Sequence, residues 1–81
     1  MKIDVMVPSL SKKYEFDINE DKELSVIIEE IVEAVCQKEN TAIKGDIAQM
    51  LLLHKESKSI LIKYQTPVSA GIKNGDTLII V

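Results

Sequence analysis

The sequence predicts an α+β fold, with strands at both ends of the chain and one amphipathic helix between them. Three observations predict it. Apolar and polar residues alternate near the N-terminus, apolar residues recur at three- and four-residue spacing in the middle, and a polar turn precedes a last apolar run. Eighty-one residues make one domain, 1–81, because a second core would not fit. A chain this short buries only about two-thirds of the surface its unfolded form exposes, so it needs a dense core, a disulfide set, a metal or a partner. With 46% apolar residues, led by twelve Ile, seven Val and seven Leu, the core is one of branched aliphatics.

Each element follows from its pattern. Ile3, Val5 and Val7 alternate with Lys2, Asp4 and Met6, which is a strand with one buried face, and Pro8 ends it. Ser9 to Lys13 connects it to a second strand, where Tyr14, Phe16 and Ile18 alternate with Glu15 and Asp17. From Leu24 to Lys38 the period becomes helical. Leu24, Ile27, Ile28, Ile31, Ala34 and Val35 share one side, while Glu29, Glu30, Glu33 and Gln37 share the other. Ser25 is the expected N-cap, and Lys38 and Asn40 suit the C-terminus. The β-branched run Val26-Ile27-Ile28 has weak helix propensity, so packing must hold the helix.

Glu39 to Ile47, with Gly45, reads as a connection. Met50 to Leu53 and Ser59 to Ile62 read as two strands around the polar turn His54 to Lys58. Thr66 to Lys73 is irregular, Asn74-Gly75-Asp76 is a turn whose residues tolerate positive φ, and Thr77 to Val81 is the last strand.

Charge and cysteine content exclude several functions. Net charge is −3, and all ten basic residues are scattered lysines, with no arginine to form bidentate forks on phosphate or guanine. Nucleic acid is therefore not the expected ligand. No apolar run reaches the roughly 18–20 residues of a membrane span, and the N-terminus lacks a signal-peptide pattern, so a cytoplasmic protein without membrane insertion is expected. One cysteine and one histidine cannot make an intramolecular disulfide or a compact His/Cys metal site.

The order ββ, helix, ββ, irregular segment, β resembles the β-grasp, or ubiquitin-like, fold. Within it, Ile3-Asp4 in the first strand and Gly71-Ile72-Lys73-Asn74-Gly75-Asp76-Thr77-Leu78-Ile79-Ile80 near the end resemble the YukD/EsaB family of small bacterial ubiquitin-like proteins associated with type VII secretion. The resemblance implies a mixed sheet of four to five strands, first strand parallel to last, with the helix across one face. Ile3, Val5, Val7, Phe16, Ile18, Leu78 and Ile80 would then meet Ile28, Ile31 and Val35. It further implies a non-enzymatic accessory protein, peripheral to a membrane complex. Its partners would be a second copy or membrane components of the secretion machine. The alternatives are a β-grasp adaptor unrelated to secretion and a sulfur carrier or protein modifier; the latter acts through a Gly-Gly tail, whereas this sequence ends at Val81, so conjugation is not expected.

No residue pattern points to catalysis or a cofactor. A nucleophilic cysteine needs a histidine, lysine or helix N-terminus beside it, whereas Cys36 falls near the helix C-terminus and reads as a semi-buried structural residue. His54 reads as a surface turn residue. Glu29, Glu30 and Glu33, with Glu20, Asp21 and Glu23 before them, read as a solvated face, because working carboxylate pairs need a cleft. What remains is apolar surface. If Leu78 and Ile80 face the helix, Ile79 and Val81 face away, and the same alternation with Leu51 and Leu53 inside puts Met50 and Leu52 outside. Met50, Leu52, Ile79 and Val81, with Met6 nearby, are thus the expected protein-interaction patch.

Overall fold

The computed structural model describes residues 1–42 and 46–81, so the Gly45 part of the predicted connection lies outside the described residues. The elements are β1 (Lys2–Val7), β2 (Lys12–Asp17), α1 (Leu24–Glu39), β3 (Leu52–His54), β4 (Ser59–Ile60) and β5 (Thr77–Ile80), with short 3₁₀ turns at Pro8–Leu10 and Ile47–Gln49. The strands form one mixed sheet in the order β2-β1-β5-β3-β4. β1 and β5 are parallel, with Val5 opposite Leu78 and Met6 opposite Ile79; the β1–β2, β3–β4 and β3–β5 pairs are antiparallel.

One face of this sheet meets α1 in a single aliphatic core. Ile3, Val5 and Val7 of β1, Leu78 and Ile80 of β5 and Leu52 of β3 are buried with Leu24, Ile27, Ile28, Ile31, Val32 and Val35 of the helix. The helical stripe includes Val32 in place of Ala34, which is exposed. Phe16, expected in the core, is only half-buried against it, and Tyr14 is the buried aromatic of β2. The strand expected over Ser59 to Ile62 ends at Ile60; Leu61 beyond it, with Pro67 and Ile72 of the irregular segment, is also buried.

The helix ends show why its low intrinsic propensity suffices. Helical bounds begin at Leu24 with Glu23 as N-cap, so the expected cap at Ser25 is displaced by two residues. The first amides need no side-chain cap. The N–H groups of Leu24 and Ser25 donate to the carbonyls of Gln65 and Lys63, both at 2.8 Å, so the distant loop supplies acceptors that local sequence cannot announce. At the other end Asn40 adopts a left-handed conformation (φ 50°), and Thr41 N–H donates to the Cys36 carbonyl, a Schellman closure. Cys36 is free and half-buried.

The last helical residue also ties α1 to β2. Lys12 Nζ donates to Glu39 Oε2 at 2.7 Å, Tyr14 Oη donates to Glu39 Oε1 at 3.0 Å, and Lys38 Nζ lies 5.5 Å from the Tyr14 ring centre. The Lys12 ammonium and then the Tyr14 hydroxyl hold the Glu39 carboxyl below its ordinary range. Burial, followed by Glu39, pushes the Tyr14 phenol up.

Two outcomes are expected. Leu52→Ala should lower unfolding free energy by about 2–5 kcal/mol and Leu51→Ala by less than about 1 kcal/mol, measured by urea denaturation; the reverse order would contradict the β3 register. Because the Glu39 value is depressed on folding, its stabilisation is present above the ordinary value of 4.5 and is lost as pH falls through the folded value. Glu39→Gln should therefore lose less stability than the parent between about pH 6 and pH 3.

Candidate functional site

The sheet face turned away from α1 carries an unbroken apolar row. Alternation places Met6 outward on β1 and Ile79 outward on β5, directly opposite one another. Ile79 is in turn opposite Leu53 of β3, and Leu53 is opposite Ile60 of β4. Lys13 of β2, opposite Met6, ends the row on one side. A second row lies beside it, where Leu51 and Val81 exchange backbone hydrogen bonds of 2.7 and 3.0 Å. Ile60 is 62% exposed and Leu51 46%, with Val81 and Ile62 also exposed and Met6, Leu53 and Ile79 half-buried. Leu53, Ile60 and Ile79 also line a hollow of about 330 Å³ whose rim includes Lys55 and Lys58.

The expected patch is therefore corrected in composition. Ile79, Val81 and Met6 lie where alternation placed them. Met50 and Leu52 do not, being 9% and 1% exposed, and belong to the core; Leu51 and Leu53 stand outside instead. Two causes act together. Met50 closes the 3₁₀ turn at Ile47–Gln49 and is not a strand residue. The run Leu51-Leu52-Leu53 has no alternation of its own, and a one-residue slip exchanges the two faces. The pairing of Leu52 with Ile80 decides which face is which.

That same register buries His54, which is 4% exposed and not a surface turn residue. Its ring is clamped from both sides: Nε2 is 2.7 Å from Asp76 Oδ2 and Nδ1 is 2.7 Å from Ser57 Oγ, which itself lies 2.6 Å from Ser59 Oγ. Asp76 Oδ2 accepts the Lys73 N–H at 2.9 Å, and Glu56 Oε1 accepts the Thr77 N–H at 2.9 Å. Burial alone would raise the Asp76 carboxyl, but the Lys73 amide and the His54 ring outweigh it and hold it below its ordinary range. The β3–β4 turn is thereby fixed to the turn leading into β5. His54 stands two residues after the core Leu52, and that period-two step was the available signal for its burial.

No protein-family model and no curated protein matches the chain. Among solved structures, it resembles the N-terminal ubiquitin-like domain of the 4931431F19Rik protein (TM-score 0.75, 17% identity), covering 100% of this chain and 72% of that one. The fold is ubiquitin-like. The ubiquitin-like domain of Arabidopsis thaliana protein At2g32350 gives a TM-score of 0.73 at 18% identity, covering 100% of this chain and 74% of that one. At these identities the likeness establishes the β-grasp architecture and leaves function to the residues. Among the described residues, no helix is long and apolar enough to cross a membrane.

The clamp makes a testable stability difference. Asp76→Ala removes an acceptor from both the His54 ring and the Lys73 amide and should cost about 1–3 kcal/mol. Asp76→Asn retains a carbonyl acceptor and should cost less; equal losses in thermal melts would show that the hydrogen bonds are not the relevant contacts.

Proposed function

We propose that this protein is a non-enzymatic ubiquitin-like interaction module that docks a protein partner on its outer sheet face. The observation that carries the reading is the Met6, Ile79, Leu53 and Ile60 row, which crosses four strands without a polar interruption. Contiguous apolar surface of this kind marks an interface, whereas single exposed aliphatics do not. Its flanks define the partner's chemistry. Lys13 lies at one end and Lys55 and Lys58 at the other, so the face suits an apolar segment bordered by acidic residues. Lys13 already faces Asp4 at 3.5 Å, which leaves the Lys55 and Lys58 end as the more available positive rim.

The biological setting rests on the resemblance carried by Ile3-Asp4 and by Gly71 through Ile80. It supports a cytoplasmic accessory role in bacterial type VII secretion, with the outer face engaging the cytosolic part of a membrane component or a second copy of the chain. A β-grasp adaptor unrelated to secretion uses the same face but a different genetic setting. Genes for a small helical secreted protein and an FtsK-type ATPase beside this one support secretion, and their absence supports the adaptor.

Leu53→Asp and Ile79→Asp should each keep the parent's circular dichroism spectrum while weakening partner binding by about 2 kcal/mol or more, read by calorimetry against the cytosolic part of the neighbouring membrane component. Light scattering on the same variants reports self-association. Folded variants that bind and associate as the parent does would remove the outer face from the mechanism.

A further inference from the structure

We propose that His54, Glu56 and Asp76 form a site for one divalent cation of the zinc class. The three residues come from separate places in the fold. His54 ends β3, Glu56 lies in the β3–β4 turn, and Asp76 immediately precedes β5. Their ligand atoms nevertheless lie within 4.8 Å of one another. Nε2 of His54 is 3.6 Å from Glu56 Oε1 and 2.7 Å from Asp76 Oδ2.

These separations suit a tetrahedral ion. Ligands about 2.0–2.1 Å from zinc stand about 3.3 Å apart. The His54–Glu56 separation is already close to that value, and the His54–Asp76 pair needs to open by only about 0.6 Å to reach it. Exposure is graded across the site: the imidazole is buried, Asp76 half-buried and Glu56 exposed, so solvent can supply a fourth ligand from the open side.

The surroundings hold the ligands in the pose that binding requires. Ser57 Oγ lies 2.7 Å from Nδ1, and when Nδ1–H donates to it the ring presents the Nε2 lone pair to the two carboxylates. A metal-bound histidine is oriented by this type of partner on its other nitrogen. Asp76 is anchored by the Lys73 amide and Glu56 by the Thr77 amide, so neither carboxylate has to be ordered on binding. The cation takes the place of the Nε2–Oδ2 contact, and two carboxylates with a neutral imidazole balance a charge of +2.

The donor set also selects the ion. One imidazole nitrogen with two carboxylate oxygens favours zinc and similar transition ions, whereas magnesium and calcium require six or more oxygen ligands. A bound ion would join the end of β3 and the turn after it to the start of β5, and β3 and β5 are the strands that present Leu53 and Ile79. The site stands independently of whether the outer face docks a partner.

The test uses the full chain, stripped with EDTA and titrated with zinc chloride by calorimetry. One equivalent should bind, raise the thermal midpoint reversibly and shift the His54 Nε2 resonance, while magnesium should do none of these. Glu56→Gln keeps an acceptor for the Thr77 amide and lies on an exposed side chain, so it should fold and weaken zinc binding by about tenfold or more; Asp76→Asn should act in the same direction. Cys36→Ser, which removes the chain's one thiol, should leave zinc affinity unchanged. Absence of saturable binding, an unmoved His54 resonance, or binding that survives Glu56→Gln but is lost in Cys36→Ser would overturn the proposal. Leu53→Asp should bind zinc normally, which separates failure here from failure of the docking face.

Discussion

The parallel pairing of β1 with β5 is the contact on which the rest of this molecule depends. It joins strands more than sixty residues apart in sequence, and nothing local rewards it until the intervening chain is in place. Val5 and Leu78, opposite each other at its centre, are both fully buried. The turn before β5 adds polar bonds to the same junction. Lys2 N–H donates to Asn74 Oδ1, Gly75 N–H donates to the Lys2 carbonyl, and Asp4 N–H donates to the Asp76 carbonyl. Gly75 sits at φ +85°, where a side chain would be strained, so the turn that starts β5 requires glycine.

Once β5 is held there, its other edge sets the register of β3. Leu52 pairs with Ile80 and His54 with Leu78, which draws both side chains inward and turns Leu53 out against Ile79. The apolar outer row and the buried His54 are two results of this one register. A slip by a single residue would bury Leu53, expose Leu52 and remove His54 from Asp76. The polar anchor at the Thr77 amide acts against that slip, because it would lose its Glu56 carboxylate partner.

The small aromatic content shapes the remaining packing. Branched aliphatics fill the layer between helix and sheet, and the one buried aromatic, Tyr14, places its hydroxyl on Glu39 at the rim. The helix gains little from its own sequence in the first turn, where Val26, Ile27 and Ile28 follow one another. It is held by its buried stripe, by carbonyls of Lys63 and Gln65 at one end and by the Asn40 closure at the other.

Where one periodicity was unambiguous, the sequence by itself was sufficient. Ile3, Val5 and Val7 against Lys2, Asp4 and Met6 determined β1 and its inward face; the three- and four-residue spacing from Leu24 determined α1; and Asn74-Gly75 determined the turn before β5. Element order then pointed to the β-grasp architecture. Tertiary structure decided what lacked a local period. Three consecutive leucines can face either way, so only the neighbouring strand β5 could make Leu52 core and Leu53 surface. Ser25 looked like a cap because the acceptors supplied by Lys63 and Gln65 lie some forty residues away in the chain. His54 looked like a turn residue because its partner Asp76 is 22 residues distant, and a contact across that interval exists only after β3 and β5 have paired.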